Sequence, residues 1–359
     1  MKVIFSGGGT GGHIFPAIAI ANELKKIEKE VKILFVGAKG KVEERIVPEN
    51  NFELMTINIS GLNKNIKGIF GLPFKILGSL KKCRKILNDF GPDVVVGTGG
   101  YASAPLIYSA VKKNIPALIQ EGNSYPGKVT RFLSAKVDKV VISFKDTLNY
   151  LKRKDNVIQI SHPVRLSLKK SDRNDAHKFF NLDPHNKTLF IFGGSQGAKA
   201  INNFVRNNVK ILSKKGINII WQTGKGDFED AQNYMTEYGN VKVLEFVKEM
   251  DIAYSAADLV ICRAGVSSIM ELSYLGIPAI LIPFPSAAEN HQEKNARSLE
   301  KENACTVILQ YELESKLLST IINVINDNSR LENLKKNILG FSDSEAAKKI
   351  AFEILKLVK

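Results

Sequence analysis

Four glycine-bearing turns in this chain have the make-up of phosphate sites. They are Gly7–His13 (GGGTGGH), Gly97–Pro105 (GTGGYASAP), Gly193–Ala200 (GGSQGAKA) and Cys262–Ser268 (CRAGVSS), and each follows a short apolar run and precedes a helix-like segment. A glycine turn between a parallel strand and a helix aims backbone N–H groups and the positive end of the helix at one spot, which suits an anion. One such turn is equally well read as glycine merely permitting a tight bend; several in one chain favour the phosphate reading. At the first turn His13 follows the last glycine, and an imidazole titrating near neutral pH is a natural proton acceptor. Gly7, Gly9 and Gly12 also satisfy GxGxxG, the dinucleotide fingerprint. That fingerprint needs an acid closing the second strand to hold a ribose. Here the run Ile33–Val36 ends in Gly37-Ala-Lys and the first acid is Glu43, so a nicotinamide or flavin is disfavoured. No GxxxxGK[ST] loop occurs. No aspartates stand as DxD, and the scattered histidines and the three cysteines lack ligand spacing, so neither metal nor cofactor is expected.

The elements that would position these groups alternate strand and helix along the whole chain. Strand-like runs are Val3–Phe5, Ile33–Val36, Val94–Val96, Ala117–Ile119 and Val140–Ile142, then Leu189–Phe192, Asn218–Trp221, Val241–Leu244, Leu259–Ile261, Ala279–Ile282 and Thr306–Ile308. They are apolar on both faces, as parallel strands covered by helices must be. Helix-length segments such as Ile14–Lys26, Ile201–Ser213 and Ser267–Leu275 lie between them, which gives a doubly wound α/β chain. The 359 residues suit two domains, and the strand–glycine turn–helix pattern at Lys2 echoes that at Thr188. A boundary is expected at Pro163, with a first domain over 1–162 and a second over 163–342. Residues 343–359 have helical periodicity, with Ala346, Ala347, Ile350, Ala351, Ile354 and Leu355 on one face.

The net charge of +15 and a pI near 9.5 call for an anionic partner: nucleic acid, an acidic membrane surface or a phosphorylated substrate. Met1 leads directly into a strand-like Lys2–Ser6, which leaves no apolar signal segment, and no run reaches the ~18 apolar residues of a membrane span. A cytoplasmic protein with, at most, peripheral membrane contact is expected. Gly61–Leu87 is where such contact would fall: Ile66, Ile69, Phe70, Leu72, Phe74, Ile76 and Leu77 alternate with Lys64, Lys67, Lys75, Lys81, Lys82, Arg84 and Lys85. An apolar surface with basic flanks sinks into an anionic leaflet, each basic residue adding about 1 kcal/mol. The competing reading is a core helix with a solvated basic face.

Together the motifs GGGTGGHIFPA, GTGGYASAP, GGSQGAKAIN, EFVKEMDIAYSAADLVICRAGVSSIMEL and NHQEKNA, in this order from Phe5 to Ala296, resemble the MurG family. The resemblance implies the GT-B architecture: two Rossmann-like domains facing a cleft, with the C-terminal helix crossing back to the first, acceptor-side domain, and the UDP-sugar held by the second. It implies an inverting transfer of GlcNAc from UDP-GlcNAc to the C4 hydroxyl of MurNAc-pentapeptide in undecaprenyl-pyrophosphoryl lipid I. The product would be lipid II for peptidoglycan synthesis, made by a peripheral enzyme on the cytoplasmic face of the bacterial membrane.

Residue by residue, the resemblance implies His13 as base, with helix capping or substrate binding as its alternative, and Thr10, Gly11 and Gly12 lining the sugar and acceptor side. Glu121 and Asn123 fall where the family has His-Glu-Gln-Asn and would position or activate the acceptor, Glu121 as a catalytic residue beside His13 and Asn123 as a donor-sugar or acceptor contact. This chain has Gln120, Glu121, Gly122 and Asn123, so any essential role there rests on Glu121 or Asn123. Arg165, Ser195 and Gln196 resemble nucleotide contacts, and Val266, Ser267 and Ser268 would receive the leaving pyrophosphate. Glu271 matches the ribose carboxylate, against a solvated helix glutamate as the plainer reading. Phe246 and Val247 match the uracil pair, with core packing the alternative for Phe246. His291 and Gln292 fall where the family reads the GlcNAc hydroxyls, and either can make the contact. Arg263 reads equally as a structural residue and stands outside the set. Rival functions are another membrane-associated GT-B transferase, such as a diacylglycerol glycosyltransferase, a GT-B UDP-GlcNAc 2-epimerase, and, from another class, a basic nucleic-acid-binding protein. The last would need basic and aromatic residues on one platform, and no such module is present.

Overall fold

Apolar residues that alternate between two buried faces organise the chain into two sheets, each parallel throughout. The computed structural model describes residues 1–59, 66–165, 168–234 and 238–358, without the side chains of 66–75 and 234. The chain divides into two units, Met1–Leu166 with Asp343–Lys359, and Ser167–Ser342.

The first unit holds strands β1 (Lys2–Gly7), β2 (Lys32–Ala38), β3 (Glu53–Ile57), β4 (Val94–Gly99), β5 (Ala117–Glu121), β6 (Lys139–Ile142) and β7 (Val157–Gln159), in the order β3-β2-β1-β4-β5-β6-β7. Val3, Phe5, Ile33, Phe35, Val94 and Val96 bury into one core, while Ile4, Leu34, Val36 and Val95 bury into another on the opposite face. That period of two, apolar on both faces, is what a doubly covered parallel sheet demands. β3 and β7 escape the sequence reading because they are edge strands whose residues are partly exposed, so they lack a continuous apolar run.

The second unit holds β8 (Thr188–Phe192), β9 (Asn218–Gln222), β10 (Val241–Leu244), β11 (Leu259–Cys262), β12 (Ala279–Leu281) and β13 (Thr306–Val307), in the order β10-β9-β8-β11-β12-β13. In each sheet the strand order reverses beside its first strand, at β1/β4 and at β8/β11. Ligands of open α/β sheets bind outside the carboxyl ends of the strands at such a switch point. The four glycine turns leave β1, β4, β8 and β11, so all four flank the two switch points.

The last helix, Ala346–Val358, belongs to the core of the first unit. Ala346, Ala347, Ile350, Ala351 and Ile354 pack with Ile14, Ala17 and Ile18 of the Gly11–Ile27 helix. Glu353, 5% exposed, is paired with Lys139 of β6 at 3.6 Å and with Lys356 at 2.6 Å. Ile354 is fully buried, so Ile354→Ala is expected to destabilise the first unit by about 2–5 kcal/mol. Urea unfolding followed by circular dichroism checks this; an unshifted transition would show that the helix contributes nothing to that core.

Candidate functional site

At the switch point of the first sheet, two turns are interlocked through missing side chains. Gly99 and Gly100 have φ of +104° and +82°, a region that L side chains rarely adopt. A Cβ on Gly99 would lie 2.5 Å from Nδ1 of His13, and one on Gly100 would lie 2.2 Å from the Gly8 carbonyl. The turn after β4 therefore lies directly against His13. The Thr98 hydroxyl donates to the His13 carbonyl at 2.7 Å, and His13 Nδ1 lies 3.0 Å from the Thr98 carbonyl. A carbonyl only accepts, so Nδ1 carries the proton and, in the neutral ring, the lone pair is on Nε2. That is the tautomer a general base requires, with the ring orientation fixed by backbone.

Glu43, visible in the sequence only as the first acid after the second strand, sets the conformation of the first turn. Its carboxylate is fully buried and accepts from the Gly9 N–H at 2.9 Å and the Ala38 N–H at 2.8 Å. A Cβ on Gly8 would lie 2.1 Å from Glu43 Oε1, and one on Gly37 would lie 2.5 Å from its Cγ. Gly8 and Gly37 are thus glycines because a carboxylate passes between them. The first turn already wraps a buried carboxyl group of the protein's own, which leaves its GxGxxG spacing ill suited to a dinucleotide phosphate.

Glu121 and Asn123 follow β5, the neighbour of β4. Glu121 Oε1 accepts from the backbone and side-chain nitrogens of Asn123 at 3.0 and 3.2 Å, and Oε2 accepts from Gly127 N and Thr130 Oγ1 at 3.0 and 2.7 Å. With four donors on two oxygens, this carboxylate is arranged to hold the 122–127 loop and to orient Asn123. Gln120 donates through Nε2 to Nδ1 of buried His162 at 3.1 Å. Burial, with a smaller push from the nearby His13, lowers the His162 pKa from 6.5 to about 3. His162 is therefore neutral at ordinary pH and adds no charge beside His13. Thr10 is exposed, Gly11 and Gly12 are partly so, and Arg165 lies half-buried in the last segment of the first unit.

The remaining sequence-derived residues gather at the carboxyl ends of the second sheet. Ser195 and Gln196 sit in the turn after β8, where Gly194 and Gly197 have φ of +101° and +76°. A Cβ on Gly197 would lie 1.9 Å from the Thr223 carbonyl, so this turn rests on the one after β9. Gln222, at the end of β9, is a residue the sequence did not mark. Its Oε1 accepts from Val247 N at 2.8 Å and its Nε2 donates to the Gly194 carbonyl at 3.0 Å, so one buried amide ties the β8 turn to the segment after β10. Phe246 is 53% exposed, which excludes the core-packing reading, whereas Val247 is buried.

Val266, Ser267 and Ser268 form the first turn of the Val266–Leu275 helix, whose N-cap Gly265 offers no side-chain cap. First-turn N–H groups of such a helix are donors suited to negative charge. Glu271, on the same helix, is 7% exposed and accepts from the Tyr254 hydroxyl at 3.0 Å; it is not a solvated helix glutamate. Gln292 accepts from Phe284 N at 2.9 Å, and His291 Nδ1 lies 2.8 Å from the Ala288 carbonyl, so both brace the loop that precedes their helix. Arg263 donates to the Ile282 and Pro283 carbonyls at 3.3 and 3.1 Å and to Gln310 Oε1 at 2.7 Å. Those acceptors make it a tie from β11 to the end of β12. Burial pushes the Cys83 thiol up to about 12 and raises Cys262 and Cys305 as well, so none of the three is disposed to be a thiolate. Among the described residues, no group of three His, Cys, Asp or Glu side chains could hold a metal ion.

Two parallel-sheet Rossmann-like units in tandem, each with glycine turns at its switch point, define the fold class of the GT-B glycosyltransferases. The model of the glycosyltransferase family 28 N-terminal domain matches residues 3–142, and that of the family 28 C-terminal domain matches residues 188–350. The UDP-N-acetylglucosamine--N-acetylmuramyl-(pentapeptide) pyrophosphoryl-undecaprenol N-acetylglucosamine transferase of Flavobacterium psychrophilum is 42% identical over 100% of this chain and 98% of its own. The protein of that name from Christiangramia forsetii is 39% identical over the same shares. The crystal structure of Acinetobacter baumannii MurG superposes with a TM-score of 0.80 at 27% identity, covering 99% of both chains. The chain belongs to the MurG family, within glycosyltransferase family 28.

The lowered pKa of His162 has a sign that can be tested. The unfolded chain takes up this proton below about pH 6.5 and the folded chain refuses it down to about 3, so each pH unit lost in that window costs about 1.4 kcal/mol of stability. His162→Asn keeps an acceptor for Gln120 and removes the titration. Its urea midpoint is expected to fall less steeply than that of the parent from about pH 6 to about pH 5; parallel curves would refute the assignment.

Proposed function

We infer that the protein transfers N-acetylglucosamine from UDP-GlcNAc to the C4 hydroxyl of lipid I, making lipid II with inversion. Support comes from the names its full-length relatives carry, and the observation that carries the mechanism is the His13 tautomer fixed by the Thr98 carbonyl. His13 Nε2 takes the proton of the acceptor hydroxyl as its oxygen attacks the anomeric carbon opposite the departing UDP. Asn123, oriented by Glu121, contacts acceptor or donor sugar, beside Thr10, Gly11 and Gly12. Glu121 itself acts by positioning, since four donors already engage its oxygens.

In the same reading the second unit holds the donor. Phe246 offers an exposed ring to the uracil. Because the Val247 N–H is given to Gln222, the Val247 carbonyl is the backbone group left to accept from uracil N3–H. Glu271 takes the ribose hydroxyls. The first turn of the Val266–Leu275 helix, with Ser195 and Gln196, stabilises the charge that develops on the leaving diphosphate. Gln292 and His291 read the GlcNAc hydroxyls.

The lipid-linked acceptor places the enzyme at the cytoplasmic face of the bacterial membrane as a peripheral protein. No helix among the described residues is long and apolar enough to cross a bilayer. Within Gly61–Leu87, residues 61–65 lie outside the described residues, as do the side chains of Ile66, Lys67, Ile69, Phe70, Leu72, Phe74 and Lys75, while the backbone of Ile66–Phe90 is a helix. On its described part Ile76 and Leu77 are 40% and 63% exposed, near exposed Lys81, Lys82, Arg84 and Lys85, while Cys83, Ile86 and Leu87 bury into the core. That pattern supports an anionic bilayer as partner.

Incubation of the protein with UDP-GlcNAc and a lipid I analogue is expected to give disaccharide product. His13→Ala is expected to lower kcat by about 10²–10⁴ while UDP affinity holds. Product with diacylglycerol alone would assign the chain to the glycolipid transferases, and UDP-ManNAc formed without acceptor would make it an epimerase.

Replacing both Ile76 and Leu77 with serine is expected to weaken sedimentation with phosphatidylglycerol vesicles at least about tenfold, with UDP binding unchanged. Unaltered vesicle binding would rule out this helix as the membrane contact.

A further inference from the structure

A role for Tyr254 in donor binding depends on Glu271 being the ribose carboxylate, as proposed for it. A carboxylate can accept from two vicinal hydroxyls only while its plane is held, because its terminal torsion is soft and broad. The structure supplies a holder. Tyr254, in the Met250–Ala256 helix, is 1% exposed and donates its hydroxyl to Glu271 Oε2 at 3.0 Å.

The ring cannot wander. It packs edge-on against Phe190 and Phe192 of β8, with centroids 5.7 and 6.1 Å away and interplanar angles of 69° and 68°. Phe190 and Phe192 themselves lie 4.9 Å apart. The hydroxyl therefore arrives at Glu271 from a fixed point on the sheet, and the carboxylate cannot turn without breaking a buried bond to a charged group. This links β8, the strand that launches the Ser195–Gln196 turn, to the carboxylate on the helix after β11.

We propose that Tyr254 is a positioning residue that fixes the Glu271 carboxylate for the ribose diol, and so sets the preference of the donor site for a ribonucleotide over its dideoxy counterpart. The hydroxyl donates from the protein side, so Glu271 meets the sugar already oriented. A site built to hydrogen-bond a hydroxyl rejects the analogue that lacks it, because its own polar group is left unpaired. Without the Tyr254 hydroxyl the carboxylate relaxes, and that discrimination is lost before the rest of the nucleotide contacts.

The test is calorimetric titration of UDP and of 2′,3′-dideoxyuridine diphosphate into the full-length protein, its Tyr254→Phe variant and its Glu271→Gln variant. Tyr254→Phe keeps the ring and its packing. It is expected to weaken UDP about tenfold and the dideoxy compound less than about twofold, shrinking the preference much as Glu271→Gln does. If Glu271→Gln collapses the preference while Tyr254→Phe preserves it, the positioning role is refuted and the ribose assignment stands. If Tyr254→Phe weakens both ligands equally, the tyrosine is a packing residue and the proposal fails. If Glu271→Gln leaves the preference intact, the ribose assignment falls and the proposal with it. Unchanged thermal midpoints identify the variants as folded.

Discussion

His13, the Ser195–Gln196 turn and the first turn of the Val266–Leu275 helix all depend on the reversal of strand order beside the first strand of each sheet. In a parallel sheet all chains leave at the same edge, and at the reversal two neighbouring strands send their chains to opposite faces. β1 and β4 form that pair in the first sheet, β8 and β11 in the second. The turns leaving β1 and β4 are then forced into backbone contact. Gly100 has no room for a side chain against the Gly8 carbonyl, and Gly99 has none against the His13 ring. The imidazole is held by main chain on the side where its proton resides, so its orientation does not wait for a ligand.

Buried acids do most of the remaining positioning. Glu43, Glu121 and Glu271 are all under 10% exposed, and each is engaged by donors from the protein. A buried carboxylate is tolerated only where donors replace its lost hydration. Once that condition is met the donors are fixed in turn, because removing the acid would strand them. Glu43 shapes the turn before His13, Glu121 shapes the loop that presents Asn123, and Tyr254 sets the plane of Glu271. Gln222 does the same with a neutral amide, whose two ends can be satisfied in only one orientation by a backbone N–H and a backbone carbonyl.

The parallel strands were legible because both of their faces are apolar, and the glycine turns because their spacing is short and local. β3 and β7 were not, since an edge strand is free to expose every second residue. Phe246 and Glu271 could be named from motif, but their plainer readings fell only when one ring proved exposed and the other side chain buried and bonded. Glu43, Gln222 and Tyr254 carry no local signature. Glu43 meets Gly9 across 34 positions, Gln222 meets Val247 across 25, and Tyr254 meets Glu271 across 17. Glu43 was visible in the sequence only as an acid in the wrong place for a ribose.

That misplaced acid explains why a loop with dinucleotide spacing is better suited to a neutral group. A phosphate approaching Gly9 would meet an N–H already donated to a buried carboxylate and would add like charge beside it. A sugar hydroxyl carries no such penalty, and His162, kept neutral by burial, adds no positive charge beside His13. Neither the Gly11–Ile27 helix nor the Val266–Leu275 helix has a side-chain cap; what sets the first glycine turn apart is the Gly9 N–H, already donated to the buried Glu43 carboxylate. One fold used twice is thereby differentiated by where it has placed its own anions.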